Sequence, residues 1–220
     1  MAVIKTGILG GFSGKVGTVI GAKWHDLDVI KAIPKKTSKK ATRTQADQRI
    51  KFGLVTHFFS DLKDVIDLGY QSKNKSMSPM NAAVQHHLNN AVTGVSPNFT
   101  LDYTKIMMTS GKLKSAENIL GTAAAGRKIM VSWDFDPEDY KEDVRAERAT
   151  DKALLVVYDE TKKLFLNSAR SAARSSGKLE VTMPRMTAAG NSLHAYLYFT
   201  TKDDKIASTS AYLGPLKAVA

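Results

Sequence analysis

The sequence predicts an α+β protein: a glycine-rich N-terminal β-hairpin or arm, two helices, and a C-terminal antiparallel β-sandwich of immunoglobulin or fibronectin type. Three observations predict it. Six of the fifteen glycines fall between Gly7 and Gly21. Apolar residues recur at helical spacing between Thr44 and Val92. From Tyr103 the period shortens to that of strands, with turn signals at regular intervals.

The glycine-rich stretch runs from Gly7 to Pro34, with β-branched and apolar residues (Ile8, Val16, Val19, Ile20, Trp24, Val29, Ile30) between its glycines. Repeated glycines in strand-like sequence mark turns, bulges or close backbone approach. A phosphate-binding loop is the chemical alternative, and Gly10 to Lys15 (GGFSGK) resembles one. The spacing fails, since Gly10 and Gly14 enclose three residues and not four, and Val16 replaces the hydroxyl residue that would hold magnesium. The stretch therefore reads as a hairpin followed by a strand.

A basic run follows. Lys31 to Lys51 holds eight Lys/Arg against one acid, Asp47. Lys35 to Lys40 has no apolar residue and cannot bury enough surface to offset ordering, so it reads as an exposed loop or arm. Helix one starts at the N-cap Thr44 and carries Val55, Phe58, Phe59, Leu62, Val65 and Ile66 on one face, with Phe52 and Leu54 extending it and Gly69 at its end. Such an aromatic stripe reads as core. Ser78-Pro79 opens a second helix to about Val92, lined by Met80, Ala83, Val84, His87 or Leu88, and Ala91. His86 and His87 are adjacent, not four apart, which excludes the helical zinc pattern.

The strands are expected at Lys105–Thr109, Lys128–Trp133, Lys152–Tyr158, Leu164–Leu166, Lys178–Met183, Leu193–Phe199 and Ile206–Leu213. In LHAYLYF, Leu193, Ala195, Leu197 and Phe199 share one face, and His194, Tyr196 and Tyr198 the other. Asp134 to Glu160 holds ten acids against four bases. It lacks the Asp-x-Asp-x-Asp-Gly calcium loop and reads as solvated. Two domains are expected, residues 1–102 (arm, basic linker, helical hairpin) and 103–220 (sandwich), with the boundary near 101–104.

The opening GILGGFSGKVG, a tryptophan soon after, the basic Pro-Lys stretch and TRTQADQRIKF together resemble a family of Bacteroidota proteins known only as a domain of unknown function. The likeness runs along most of the chain. It departs at Gln45, where that family's Thr-Pro-Ala-Gln opening has proline. Similar openings occur in phage-like structural proteins, so the resemblance implies a structural or mobile-element setting. It brings no catalytic residues.

The totals bound the rest. A net charge of +11 at pH 7 implies attraction to polyanions or acidic protein faces. The absence of cysteine excludes disulfides, zinc-thiolate sites and thiol catalysis. No secretory signal and no transmembrane run is visible, so synthesis in the cytoplasm is expected, with the final location open to a virion-like or extracellular assembly. No nucleophile elbow or zinc-protease motif appears, and no cofactor, metal or small-molecule substrate is implied. The first reading is a non-enzymatic structural subunit, a homo-oligomer that self-associates through Ile8, Phe12, Val16, Val19, Ile20 and Trp24. In it, Lys35, Lys36, Lys39, Lys40 and Arg43 meet an acidic partner, including the acidic stretch of the next copy. The alternative is a nucleic-acid-binding protein using the same cations across Lys31–Lys51. A carbohydrate- or surface-binding sandwich is a third option, resting on exposed tyrosines.

Overall fold

The fold is given by a computed structural model that describes residues 3–4, 10–24, 27–35, 39–71, 77–139, 148–167, 171–185 and 187–219. The chain is α+β and divides into two compact units, Met1–Arg43 and Thr44–Ala220.

The first unit is a four-stranded antiparallel meander: β1 (Val3–Ile4), β2 (Phe12–Val16), β3 (Val19–Trp24) and β4 (Leu27–Ala32), paired in that order. The glycine-punctuated hairpin followed by a strand is thus observed.

The second unit opens with α1 (Arg43–Phe59), a 3-10 turn at Ser60–Leu62 and α2 (Lys63–Gly69). The stripe expected on one helix is shared between two, because the chain tightens at Ser60. Gly69 is required there. A Cβ on it would lie 2.4 Å from Thr109 Cγ2, so the α2 terminus seats directly on the Thr109 backbone. Helix α3 (Pro79–Asn90) starts as its sequence demands: the Ser78 hydroxyl accepts from the Asn81 N–H, and Pro79 fills the first turn.

A hairpin absent from the sequence reading follows, β5 (Val92–Val95) and β6 (Asn98–Leu101), turning through a cis Ser96–Pro97 bond. The next strands are β7 (Glu117–Ala124), β8 (Lys128–Asp134), β9 (Lys152–Asp159), β10 (Leu164–Asn167), β11 (Ala172–Ala173), β12 (Lys178–Thr182), β13 (Ser192–Thr200) and β14 (Ala211–Lys217). They form two antiparallel sheets, β10-β9-β13-β14 with β11 also on β9, and β12-β8-β7. Lys105–Thr109, expected as a strand, instead begins in the 3-10 turn Tyr103–Lys105 and joins no sheet ladder. The last strand lies at Ala211–Lys217 and not at Ile206–Leu213.

The alternation along β13 decides the packing. Leu193, Ala195, Leu197 and Phe199 face the smaller sheet, burying Ile129, Val131, Trp133, Leu179 and Val181 with Ala153, Leu155 and Val157 of β9. Tyr196 and Tyr198, with Val156 and Tyr158, face the helices and bury against Val55, Phe58, Phe59, Leu62, Ile66, Ala83 and Val84. β9 and β13 are therefore covered on both sides, which explains why both are apolar nearly throughout. The helices share one cluster with strands far along the chain. Along the chain, the division between the compact units falls after Arg43, where the sequence reading placed a boundary near 101–104.

Several buried polar groups are held by hydrogen bonds. The Tyr196 hydroxyl donates to the Tyr103 carbonyl at 2.8 Å, and Tyr70 to the Met107 carbonyl at 2.8 Å. His87, wholly buried on α3, has Nδ1 2.7 Å from the Ala83 carbonyl and accepts from the Met107 N–H at Nε2, 3.0 Å away. Only the Nδ1–H tautomer satisfies both. Part of the acidic stretch is not solvated: Asp151 is buried beside Arg148 (3.3 Å) and Arg174 (3.9 Å), and Asp159 accepts from Asn191 at 2.7 Å. Residues 140–147 of that stretch lie outside the described residues.

Candidate functional site

The N-terminal sheet is shaped by its glycines. Val16 and Val19 flank a two-residue turn whose Gly17 has φ +55°, a conformation glycine adopts freely. Gly14 and Gly21 lie opposite one another, and a Cβ on Gly21 would come within 2.3 Å of the Phe12 carbonyl oxygen and 2.5 Å of its ring. The Phe12 ring therefore lies over Gly21, which no other residue allows.

Register then sorts the apolar side chains onto two faces. Val16 pairs with Val19, Val19 with Ala32, and Gly21 with Ile30, so Phe12, Val16, Val19 and Ile30 share one face. Ala22 pairs with Val29 and Trp24 with Leu27, so Ile20, Trp24, Leu27 and Val29 share the other. The residues expected to act together are thus split: Phe12, Val16 and Val19 on one side, Ile20 and Trp24 on the other. Ile8 lies outside the described residues. Leu27 and Ile30 are contributors that the sequence reading did not select. Their signal was the register itself, which needs the turn positions.

Among the described residues of this unit, no large apolar side chain is buried: Trp24 is 61% exposed, Ile30 67%, Leu27 58% and Val16 48%. A lone meander of this length does not ordinarily stand without a buried face.

Of the cations, Lys35, Lys39 and Lys40 are exposed, and Arg43 is the exposed first residue of α1. Lys36 lies outside the described residues. Residues 1–43 carry nine Lys/Arg against two Asp, a net +7 of the chain's +11.

A second feature lies within the larger unit and was not expected. Between α1, β6 and the β9–β10 turn is a cleft of about 600 Å³. Phe58, Tyr158 and Phe165 form its floor, their ring centres 4.9 to 5.0 Å apart, and Tyr103 stands beside Tyr158 at 5.4 Å. Burial pushes the Tyr158 hydroxyl well above the usual phenol range, and the neighbouring Tyr103 and Glu160 add to it. Asp61, Glu160, Lys163, His57, Ser60 and Thr100 edge the opening. Exposed tyrosines were expected without being singled out; Tyr196 and Tyr198 of β13 are buried under the helices.

No group of three or more metal-ligating side chains is gathered among the described residues. No described helix is long and apolar enough to cross a membrane. A comparison with curated proteins finds no match. A family model described as "Family of unknown function (DUF6266)" matches residues 11–214, from the start of β2 in the glycine-rich meander to within β14. The chain belongs to this family.

Proposed function

We propose that the protein is a non-enzymatic structural subunit that associates with copies of itself through the N-terminal sheet. The supporting observation is the meander that leaves apolar side chains exposed on both faces and buries none of the large ones among its described residues. Large apolar side chains left exposed on both faces of a sheet support an interaction site. Covering Trp24, Leu27, Ile30 and Val16 on association is worth on the order of 1 kcal/mol each, since each is about half exposed and full burial of such a side chain contributes roughly 1.5–3 kcal/mol. Open sheet edges add backbone hydrogen bonds between copies. The concentration of positive charge in residues 1–43 suits an acidic face on the neighbour, where it sets register and encounter rate. The resemblance to phage-like structural openings supports a setting in a particle, tube or extracellular assembly.

The experiment is deletion of residues 1–34. A folded, monomeric product, by circular dichroism and light scattering, is the expected result when the intact chain associates. A product that fails to fold makes the sheet part of the local fold and ends the arm reading.

The same charge concentration favours one second reading, binding of nucleic acid through phosphate contacts. Replacement of Lys35, Lys36, Lys39 and Lys40 by Ala then weakens DNA and RNA binding with little sequence preference and flattens its salt dependence. Unchanged affinity rejects it.

A further inference from the structure

The cleft between α1, β6 and the β9–β10 turn has no part in self-association as proposed above, yet it has the make-up of a ligand site. Its volume, about 600 Å³, lies within the range of small-molecule sites. Its walls are braced from behind. His194 stacks on the Tyr103 ring at 4.2 Å and 30°. Its Nε2 lies 3.3 Å from Glu160 Oε2 and its Nδ1 2.8 Å from the Tyr212 hydroxyl. A carboxylate only accepts, so Nε2 carries a proton, and in the neutral ring Tyr212 donates to Nδ1. One imidazole thus fixes an aromatic wall and a carboxylate of the rim, the preorganisation a binding site needs. On the other side, Lys163 sits in the tight turn after β9 with φ +55°, and Asp61 accepts from Ser60 at 3.2 Å.

The lining selects a chemical class. Phe58 and Tyr158 are nearly buried, so the apolar surface open to a ligand comes from the half-buried rings of Phe99, Tyr103 and Phe165, which favour an apolar ligand face. The rim sets two acceptors (Asp61, Glu160) against the Lys163 ammonium as donor, while the Ser60 and Thr100 hydroxyls are already paired within the protein, with His57 or Asp61 and with Thr93. Its charge is close to balanced, since Lys51, whose ammonium lies 4.6 Å from the centre of the cleft-lining Phe99 ring, stands with Lys163 against the two carboxylates. A strongly charged ligand gains no net attraction there. A neutral ligand with one C–H face and a girdle of hydroxyls matches floor and rim together. We propose that this cleft binds a neutral carbohydrate, a unit or two of sugar lying on the aromatic floor with its hydroxyls shared among Asp61, Glu160 and Lys163.

The test uses the full chain and four neutral disaccharides, cellobiose, maltose, lactose and N,N′-diacetylchitobiose, read by saturation-transfer NMR and backbone amide shifts. The expected result is binding of at least one at millimolar concentration or tighter, with shifts at Asp61, Thr100, Glu160 and Lys163 and no dependence on salt. Asp61→Ala and Lys163→Ala, both at exposed positions, each weaken it at least about fivefold while the circular dichroism spectrum is unchanged. Absence of binding by all four at about 20 mM overturns the proposal. So does binding that neither variant affects, or shifts confined to another surface. Binding of a lysine-rich peptide, with no disaccharide bound, overturns it in favour of a protein ligand.

Discussion

Acid should unfold this protein partly through one histidine. His87 has no exposed surface, packs 4.5 Å from the Phe59 ring, and joins α3 to the Met107 backbone. Burial pushes its pKa from 6.5 down to about 4; the hydrogen bond to Ala83 opposes this and the nearby His86 reinforces it. The sign follows from proton uptake. Above pH 6.5 the ring is neutral whether the chain is folded or not. Between pH 6.5 and 4 the unfolded chain takes up a proton that the folded chain refuses, so stability falls with falling pH. Below about pH 4 both forms are protonated and the loss levels off. At about 1.4 kcal/mol per pKa unit, the loss amounts to about 3 kcal/mol. Other groups titrate in the same range, so the assay is a comparison. Urea unfolding of the wild type and His87→Gln, measured from pH 7 to pH 4, isolates the term. Glutamine can still accept from Met107, and it carries no titrating proton. The wild type should lose about 3 kcal/mol more than the variant across that interval, and the His87 ring resonance should titrate near pH 4. Equal losses in the two proteins, or a His87 titration near 6.5, would refute the reasoning.

Three further outcomes follow. Gly69→Ala forces a methyl against Thr109 and its backbone, and should cost at least about 1–3 kcal/mol in urea unfolding; an unchanged midpoint would show that α2 does not seat there as described. Asp151→Ala strips the carboxylate from beside the buried Arg174 and should cost about 3–5 kcal/mol, seen as a lowered thermal midpoint. Gly21→Val displaces Phe12 from the N-terminal sheet, so it should weaken self-association while the unfolding midpoint of residues 44–220 stays constant; loss of both together would tie the sheet to the core.

The two central strands were legible because they are covered twice. Lys152–Asp159 and Ser192–Thr200 carry large apolar side chains on both faces, and no other environment explains such runs. The start of α3 was legible for an equally local reason, its Ser78-Pro79 cap, whereas Thr44, expected to cap the first helix, lies inside α1, which begins at Arg43. β7 was not legible. Its sequence ENILGTAA has helix-forming residues, Asn118 in a left-handed conformation and an irregular register near its start, so period-two alternation is broken where it would have been read. The hairpin β5–β6 was hidden by Ser96–Pro97 and Gly94, which signal a loop unless the paired strands are already known. The burial of Arg174 and Asp151 was equally opaque. Charged residues enter a core only as partners, and these two are distant in sequence. In the N-terminal sheet, composition marked out the strands, but the division of their residues between two faces depends on strand register. The aromatic cleft draws on three separate stretches of chain, and only the fold brings them together.

The most direct measurement for the account is the mass of the intact, nuclease-treated protein by light scattering coupled to size exclusion, over a range of concentration at low and high salt, with electron microscopy of the same peak. The account predicts a concentration-dependent or stable assembly of defined size, with regular particles or tubes in the images. A monomer at every concentration and salt, its apolar N-terminal sheet left bare, would contradict it.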